Sequence, residues 1–207
     1  MSVTGIARER QIDEVLHYTT HKGVKGSIMK WATLSRKRVE LDPDLEFIFQ
    51  GVWPRRDPEW LDHISLSVSR INASLYVKAQ RNHPDVWWAV LSFSPDILDD
   101  EGVWFTTTNN VYHEVCERGQ GEAGFEEMFR DRVPWGYQGS VITRRADLPS
   151  HLTTDRQAEV LYPKSIALDH LHRIYVPGDQ HRALVLAWCD VFAKPEVEVV
   201  ISQDIFT

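Results

Sequence analysis

The 207-residue sequence has two cysteines, Cys116 and Cys189, too few for a disulfide framework or an all-thiolate zinc site. It lacks HExxH and CxxC, and its nine histidines show no ligand spacing on any expected helix, so no metal is expected. The GxGxxG at Gly119–Gly124 follows no expected strand and no GxxxxGK[ST] occurs, so neither a doubly wound dinucleotide fingerprint nor a phosphate-cradling P-loop is read. No GxSxG is present, so an acyl-transfer elbow is unsupported. No apolar run approaches the roughly 18 residues of a membrane span. Residues 1–10 hold Arg8, Glu9 and Arg10 and no apolar stretch, so no secretory signal is read and a cytoplasmic location is expected. An enzyme of this composition runs its chemistry on a small polar set without metal.

What is present is ordinary in bulk: 43% hydrophobic and 26% charged residues suit a globular chain with a real core. There is no internal repeat and no linker, so residues 1–207 read as a single domain. The charge is unevenly spread. The chain carries −7, yet the 18 residues from His21 to Arg38 hold six cations and no acid, leaving −13 elsewhere. A polyanion would be steered to that segment; a solvated basic face is the plainer alternative.

Patterning predicts a mixed chain. Residues 6–16 read as a helix, followed by a short extended piece at 17–20. Gly23–Trp31 reads as a short basic helix and Leu45–Val52 as a strand. In Asp62–Arg70, Ile64, Leu66 and Val68 alternate with Ser65, Ser67 and Ser69, giving one buried face and one row of hydroxyls. Val86–Phe93 is continuously apolar and suits a central strand. Val103–Thr108, Gln157–Tyr162, Arg173–Val176 and Val197–Ile201 read as further strands. Ala123–Val133 and Asp179–Phe192 read as helices, the latter with Asp179 as its N-cap. Many short strands with few helices imply an α+β fold around a split, mostly antiparallel sheet.

Three features could carry chemistry. His17 and Thr19 stand two apart on a strand and share a face, so an imidazole and a hydroxyl can meet one sugar edge. Gln157 and Glu159 share a face after the polar loop Ser150–Arg156, while Ala158, Val160 and Tyr162 fill the other face and fix the register. A carboxylate there can bind a ribose hydroxyl and stabilise an oxocarbenium cation; an edge glutamate facing water is the alternative. Arg36, Arg38, Arg55, Arg56 and Arg70 offer forks that match a pyrophosphate, or decorate the surface. Eight tryptophans fit core packing singly and, together, a site that stacks flat heterocycles.

The order His17-Tyr18-Thr19, the Asp62–Asn72 strand, Phe105-Thr106-Thr107-Thr108-Asn109 and Arg156-Gln157-Ala158-Glu159 resembles that of the DarT family, over about residues 15–176. DarT proteins are bacterial toxins that ADP-ribosylate bases in single-stranded DNA using NAD. The resemblance implies a compact ADP-ribosyltransferase-like fold with NAD in the cleft of a split sheet. It implies Glu159 as catalytic glutamate, with Arg70 beside it. It places NAD among His17, Tyr18, Thr19, Ser35, Arg36 and Arg56. It gives single-stranded DNA to Lys22, Lys25, Lys30, Arg144, Arg145, His151, Thr154, Arg156 and Gln157. A macrodomain-type or related hydrolase is the implied antitoxin partner. The thymine-modifying branch carries Arg-Ser-Pro-Met where this chain has Arg70-Ile71-Asn72-Ala73. It carries Phe-Thr-Asp-Gly where this chain has Phe105-Thr106-Thr107-Thr108. The chain is thus similar to the divergent, guanine-modifying branch. Two alternatives stay open: the same fold acting on RNA or protein, and a non-catalytic single-stranded DNA binding module.

Overall fold

The structure is a computed structural model that describes residues 2–48, 57–136, 139–193 and 197–206. In chain order its regular elements are α1 (Val3–Glu9), β1 (Val15–Thr20), α2 (His21–Lys30), β2 (Ala32–Leu34), α3 (Arg36–Leu41), β3 (His63–Val68), α4 (Ala73–Asn82), β4 (Trp88–Phe93) and β5 (Trp104–Thr106). They continue with β6 (Arg118–Gly119), α5 (Gly121–Glu127), β7 (Arg132–Pro134), β8 (Val141–Thr143), β9 (Val160–Pro163), β10 (Ser165–Ala167), β11 (Leu171–Val176), α6 (Asp179–Val191) and β12 (Glu198–Ile201).

Eight strands form one sheet in the order β12-β11-β4-β1-β3-β9-β5-β6. Neighbours run antiparallel except β11 and β12. The sheet divides in the middle. β1 pairs β4 over six positions but β3 over only two, Val15 with Val68 and Leu16 with Ser67. Two four-stranded halves thus meet at a short seam, as expected of a split α+β sheet.

The core explains the strands. β4 is buried at every position, so it takes a run of apolar residues covered on both faces. Ile64, Leu66 and Val68 enter the main core with Leu91, Phe93, Phe105, Phe125, Ala158 and Val160. Each large apolar side chain buried this way contributes about 1.5–3 kcal/mol. The opposite face holds a smaller cluster around Leu16, Tyr76, Trp88 and Val90.

Several expectations are corrected. Residues 6–16 are not one helix: α1 stops at Glu9, Gln11 turns with φ 61°, and Val15 and Leu16 pair with β4. Apolar residues at helical spacing served a helix and then a strand, because ladder hydrogen bonds and full burial outweigh local propensity. Residues 43–48 form a 3-10 turn that begins at Pro43 and buries Leu45, not a strand; residues 49–52, with Trp53, Arg55 and Arg56, lie outside the described residues. Asp179 is the first residue of α6 and Gly178 occupies its cap without a side-chain bond. The helix expected at 123–133 ends at Glu127, and Arg132–Pro134 pairs with β8. The strand expected from 157 starts at Val160.

Candidate active site

The site grows from the seam. Beyond Leu16 the two central strands part, and the His17 imidazole fills the opening: its Nδ1 donates to the Ser65 carbonyl at 2.9 Å. A carbonyl only accepts, so Nδ1 carries the hydrogen and Nε2 of the neutral ring is the acceptor nitrogen. Thr19, two residues on, lines a cavity of about 70 Å³ with His17, Gly23, Ser27, Thr33 and Leu34. The cavity lies under the first turns of α2. A Cβ on Gly23 would come within 2.1 Å of Thr19 Oγ1, so glycine lets the helix approach the strand this closely. Tyr18 is a correction. Alternation turns it to the other face, where it packs on Tyr76 and Trp88 at 6.0 and 5.9 Å between centroids, away from the cavity.

Glu159 stands just before β9, and a buried polar run holds it. Thr106 ends β5 and Thr107, Thr108, Asn109 and Asn110 follow it; none of the five exceeds 5% exposure. Buried polar atoms must find partners, and here they find the segment before β9. Thr106 Oγ1 accepts from the Glu159 N–H at 2.9 Å, and the Thr106 N–H donates to the Glu159 carbonyl at 2.9 Å. Thr108 Oγ1 donates to Asp155 Oδ2. The Asn110 backbone N–H donates to Glu159 Oε2 at 2.7 Å. Asp155 in turn accepts from the Gln157 N–H at 2.9 Å. Burial pushes the Asp155 carboxyl above its usual range, while Thr108, Gln157, Arg70 and Arg156 oppose that shift.

Register relates the two key residues. Leu16 pairs Ser67 and Leu66 pairs Val160, so Glu159 lies across β3 from the Leu16–His17 step. Two inter-strand steps of about 4.8 Å put the Cα atoms of 16 and 159 on the order of 10 Å apart at the end of the seam, and His17 is the next residue, where the strands part. Glu159 lies on the row of Leu16 and Ser67 and does not line the cavity beside His17; what connects them is the seam into which the imidazole is turned.

The arginine and lysine candidates separate by partner. Arg70 Nη2 donates to the Thr153 carbonyl at 3.1 Å, and its buried Nε has no hydrogen-bond partner among the described residues. Burial, with Arg156 and Arg144 nearby, lowers its pKa. Arg144 donates to the carbonyls of Leu152 and Pro149, both at 2.8 Å, and to Thr154 Oγ1, so it builds the loop before Glu159 and has few donors left for a phosphate. Thr154 is buried and donates to the Arg130 carbonyl at 2.7 Å, so it does not face solvent. Lys30 is held by Asp42 and Asp44, Arg36 by Glu40, and Arg145 by Asp147. Ser35 caps α3 and donates to Asp62 at 2.8 Å, a structural task. Lys22, Lys25, His151, Arg156 and Gln157 remain at least partly exposed, and Lys22 and Lys25 have no ion pair among the described residues. Arg56 lies outside those residues.

Residues 54–207 match the family model described as "ssDNA thymidine ADP-ribosyltransferase, DarT". The chain belongs to the DarT family. Solved structures agree on the fold. Thermus sp. 2.9 DarT in complex with NAD+ superposes with a TM-score of 0.65 at 14% identity, covering 95% of this chain and 98% of that one. Thermus sp. 2.9 DarT in complex with ADP-ribosylated ssDNA gives 0.62 at 15%, covering 95% and 97%. Thermosipho africanus DarTG in complex with ADP-ribose gives 0.60 at 12%; it matches 94% of this chain, which spans 51% of that longer one. No curated protein sequence matches. Among the described residues no group of three or more His, Cys, Asp or Glu could hold a metal ion, and no helix is long and apolar enough to cross a membrane.

Sequence patterning did not single out Asp57, Asn110, Arg118 and Asp155, which join Thr106 and Thr108 in the network around Glu159. One signal was available. Five consecutive polar residues at the end of a strand are either a loop in water or a buried hydrogen-bonding template.

Proposed function

We propose that this DarT-family chain transfers ADP-ribose from NAD to a base of single-stranded DNA, with Glu159 as the catalytic carboxylate. The supporting observation is the Glu159 carboxylate fixed by the Asn110 N–H at the entry to β9, across the seam from His17. In this reading His17 Nε2 and the Thr19 hydroxyl receive the ribose and nicotinamide end of NAD. Nicotinamide leaves as a neutral molecule, so no strong acid is needed. As its bond to C1′ breaks, Glu159 holds the ribose 2′-hydroxyl and stabilises the cation. The base nitrogen then bonds to C1′ and loses its proton to Glu159. Arg70 and Arg156 stand near the loop before Glu159 and face the incoming strand or the pyrophosphate. The base must be unstacked to reach C1′, which favours single strands.

The finer choices rest on sequence. The Arg70-Ile71-Asn72-Ala73 and Phe105-Thr106-Thr107-Thr108 runs favour guanine, whereas the matching family model is described for thymidine. A toxin role with an antitoxin hydrolase is the corresponding proposal, supported by the fold shared with DarTG. The deciding experiment incubates the protein and labelled NAD with separate pools of single-stranded DNA, RNA and protein. Mass spectrometry then locates the adduct in the labelled pool. Label on DNA is expected, lost by on the order of 10²-fold or more in Glu159→Ala. Label confined to RNA or protein, or full activity of Glu159→Ala, overturns the proposal.

A further inference from the structure

Glu159 owes its place to a residue that does not touch it. Asn110 is fully buried and is used at four atoms. Its backbone N–H holds Glu159 Oε2 at 2.7 Å. Its side-chain amide donates to Asp57 Oδ2 at 2.9 Å. Its side-chain and backbone carbonyls accept from one guanidinium: Arg118 Nε to Oδ1 at 2.7 Å and Arg118 Nη2 to O at 2.8 Å. The third nitrogen, Nη1, reaches the Cys116 carbonyl at 3.2 Å, so Arg118 spans the turn that returns the chain from β5 to β6. Among the described residues Arg118 makes no ion pair; its donors go to carbonyls and, at 3.5 Å, from Nη2 to His113 Nδ1. Burial raises the pKa of the neighbouring Cys116 thiol; Arg118 opposes that shift and Glu159 adds to it.

A planar fork that grips the side-chain and backbone carbonyls of one residue fixes that residue's Cβ and carbonyl carbon about its Cα. The Asn110 N–H aimed at Glu159 lies in the preceding peptide plane, but its nitrogen is bonded to that same Cα, so the fork anchors the point from which the N–H projects. We infer that Arg118, acting through Asn110, is the positioning residue that sets the Glu159 carboxylate for the reaction. This rests on the reading of Glu159 given above. The sequence offers no hint of it, since Asp57, Asn110, Arg118 and Glu159 are scattered over a hundred positions. A carboxylate misplaced by about 1 Å can cost on the order of 10²-fold in rate.

The test measures steady-state transfer to a single-stranded oligonucleotide that the wild type modifies. Arg118→Ala should lower kcat by on the order of 10-fold or more, with the KM values for NAD and DNA within about twofold. Arg118→Lys keeps the charge but cannot grip both carbonyls, and should recover only part of the loss. A double-mutant cycle separates positioning from general stability. If Arg118 acts through Glu159, adding Arg118→Ala to Glu159→Ala should cost nothing further in residual rate. Unchanged kcat in Arg118→Ala, a loss confined to KM for DNA, or full additivity with Glu159→Ala each overturns the inference. Should Arg118→Ala lose its folded circular dichroism signal, the same cycle with Arg118→Lys decides on the same criteria. Glu159→Ala alone reports on the broader reading: if it retains full activity the mechanism fails. If it is inactive while Arg118→Ala is not impaired, only the positioning role fails.

Discussion

Removing the Thr108 hydroxyl tests whether the buried polar run is the frame of the site. Thr108 is fully buried and its Oγ1 donates to Asp155 Oδ2, while Asp155 has 1% of its surface exposed. Thr108→Val keeps the shape and deletes the donor. A hydrogen bond to a charged group contributes about 1.5–3 kcal/mol, and the carboxylate oxygen left behind has no water at hand to replace it. In a domain of this size about 1 kcal/mol moves Tm by about 2–4 °C, so Tm should fall by about 3–12 °C. The rate should fall as well, because Asp155 organises the turn ahead of Glu159 through the N–H groups of Gln157 and Ala158. A displacement short of 1 Å predicts a kcat loss on the order of 10-fold. Thr108→Ser retains the hydroxyl and should retain most of both. The assay pairs scanning calorimetry with initial rates on one oligonucleotide. A Tm for Thr108→Val within about 1 °C of wild type, with unchanged kcat, would refute the reasoning.

Two further outcomes follow from the same geometry. Burial raises the Asp155 carboxyl above the ordinary aspartate range, so the folded state holds that proton more tightly than the unfolded state. Its contribution to stability is complete below the unfolded value and is lost as pH rises through the folded one. Measured by urea unfolding, the stability of wild type minus that of Asp155→Asn should therefore decline on going from acid toward neutral pH and then level off; a difference that grows with pH contradicts the burial account. At the seam, His17→Ala should raise KM for NAD, whereas Tyr18→Phe should leave both kinetic constants within about twofold, because Tyr18 packs on the far face. A Tyr18→Phe enzyme with NAD binding as weak as that of His17→Ala would place the cofactor on the Tyr18 face, which the Glu159 row shares, and not in the cavity beside His17.

Where periodicity was strong, the fold was legible. The alternation of Ile64, Leu66 and Val68 and the apolar run of β4 report burial directly, and both became strands beside the seam. Where one segment served two elements, the pattern misled. Ile6, Ile12, Val15 and Leu16 fit a helical stripe, yet the first pair closes a short helix and the second enters the sheet. Nothing local marks the break, since the left-handed turn falls on Gln11 and not on a glycine. Short two- and three-residue strands such as β6 and β10 also escape, because a ladder with a distant partner defines them and their own composition does not.

The site divides in the same way, and the division shows what kind of information each part needs. His17 and Thr19, or Ala158 and Val160, are neighbours whose shared faces follow from a period of two. The groups that hold Glu159 come from positions 57, 106, 110 and 118, and no period connects them. Asp57, Thr106 and Asn110 are polar and buried and Arg118 is half-buried, so the first three must each be answered by another polar group. That requirement makes the network stringent: Asn110, gripped on its side-chain and backbone carbonyls, is anchored at the Cα that carries the nitrogen whose N–H meets the carboxylate. The precision of the glutamate therefore resides less in β9 than in the turn between β5 and β6. Substitutions around Arg118 should accordingly affect the chemical step more than substitutions of exposed residues closer to the seam.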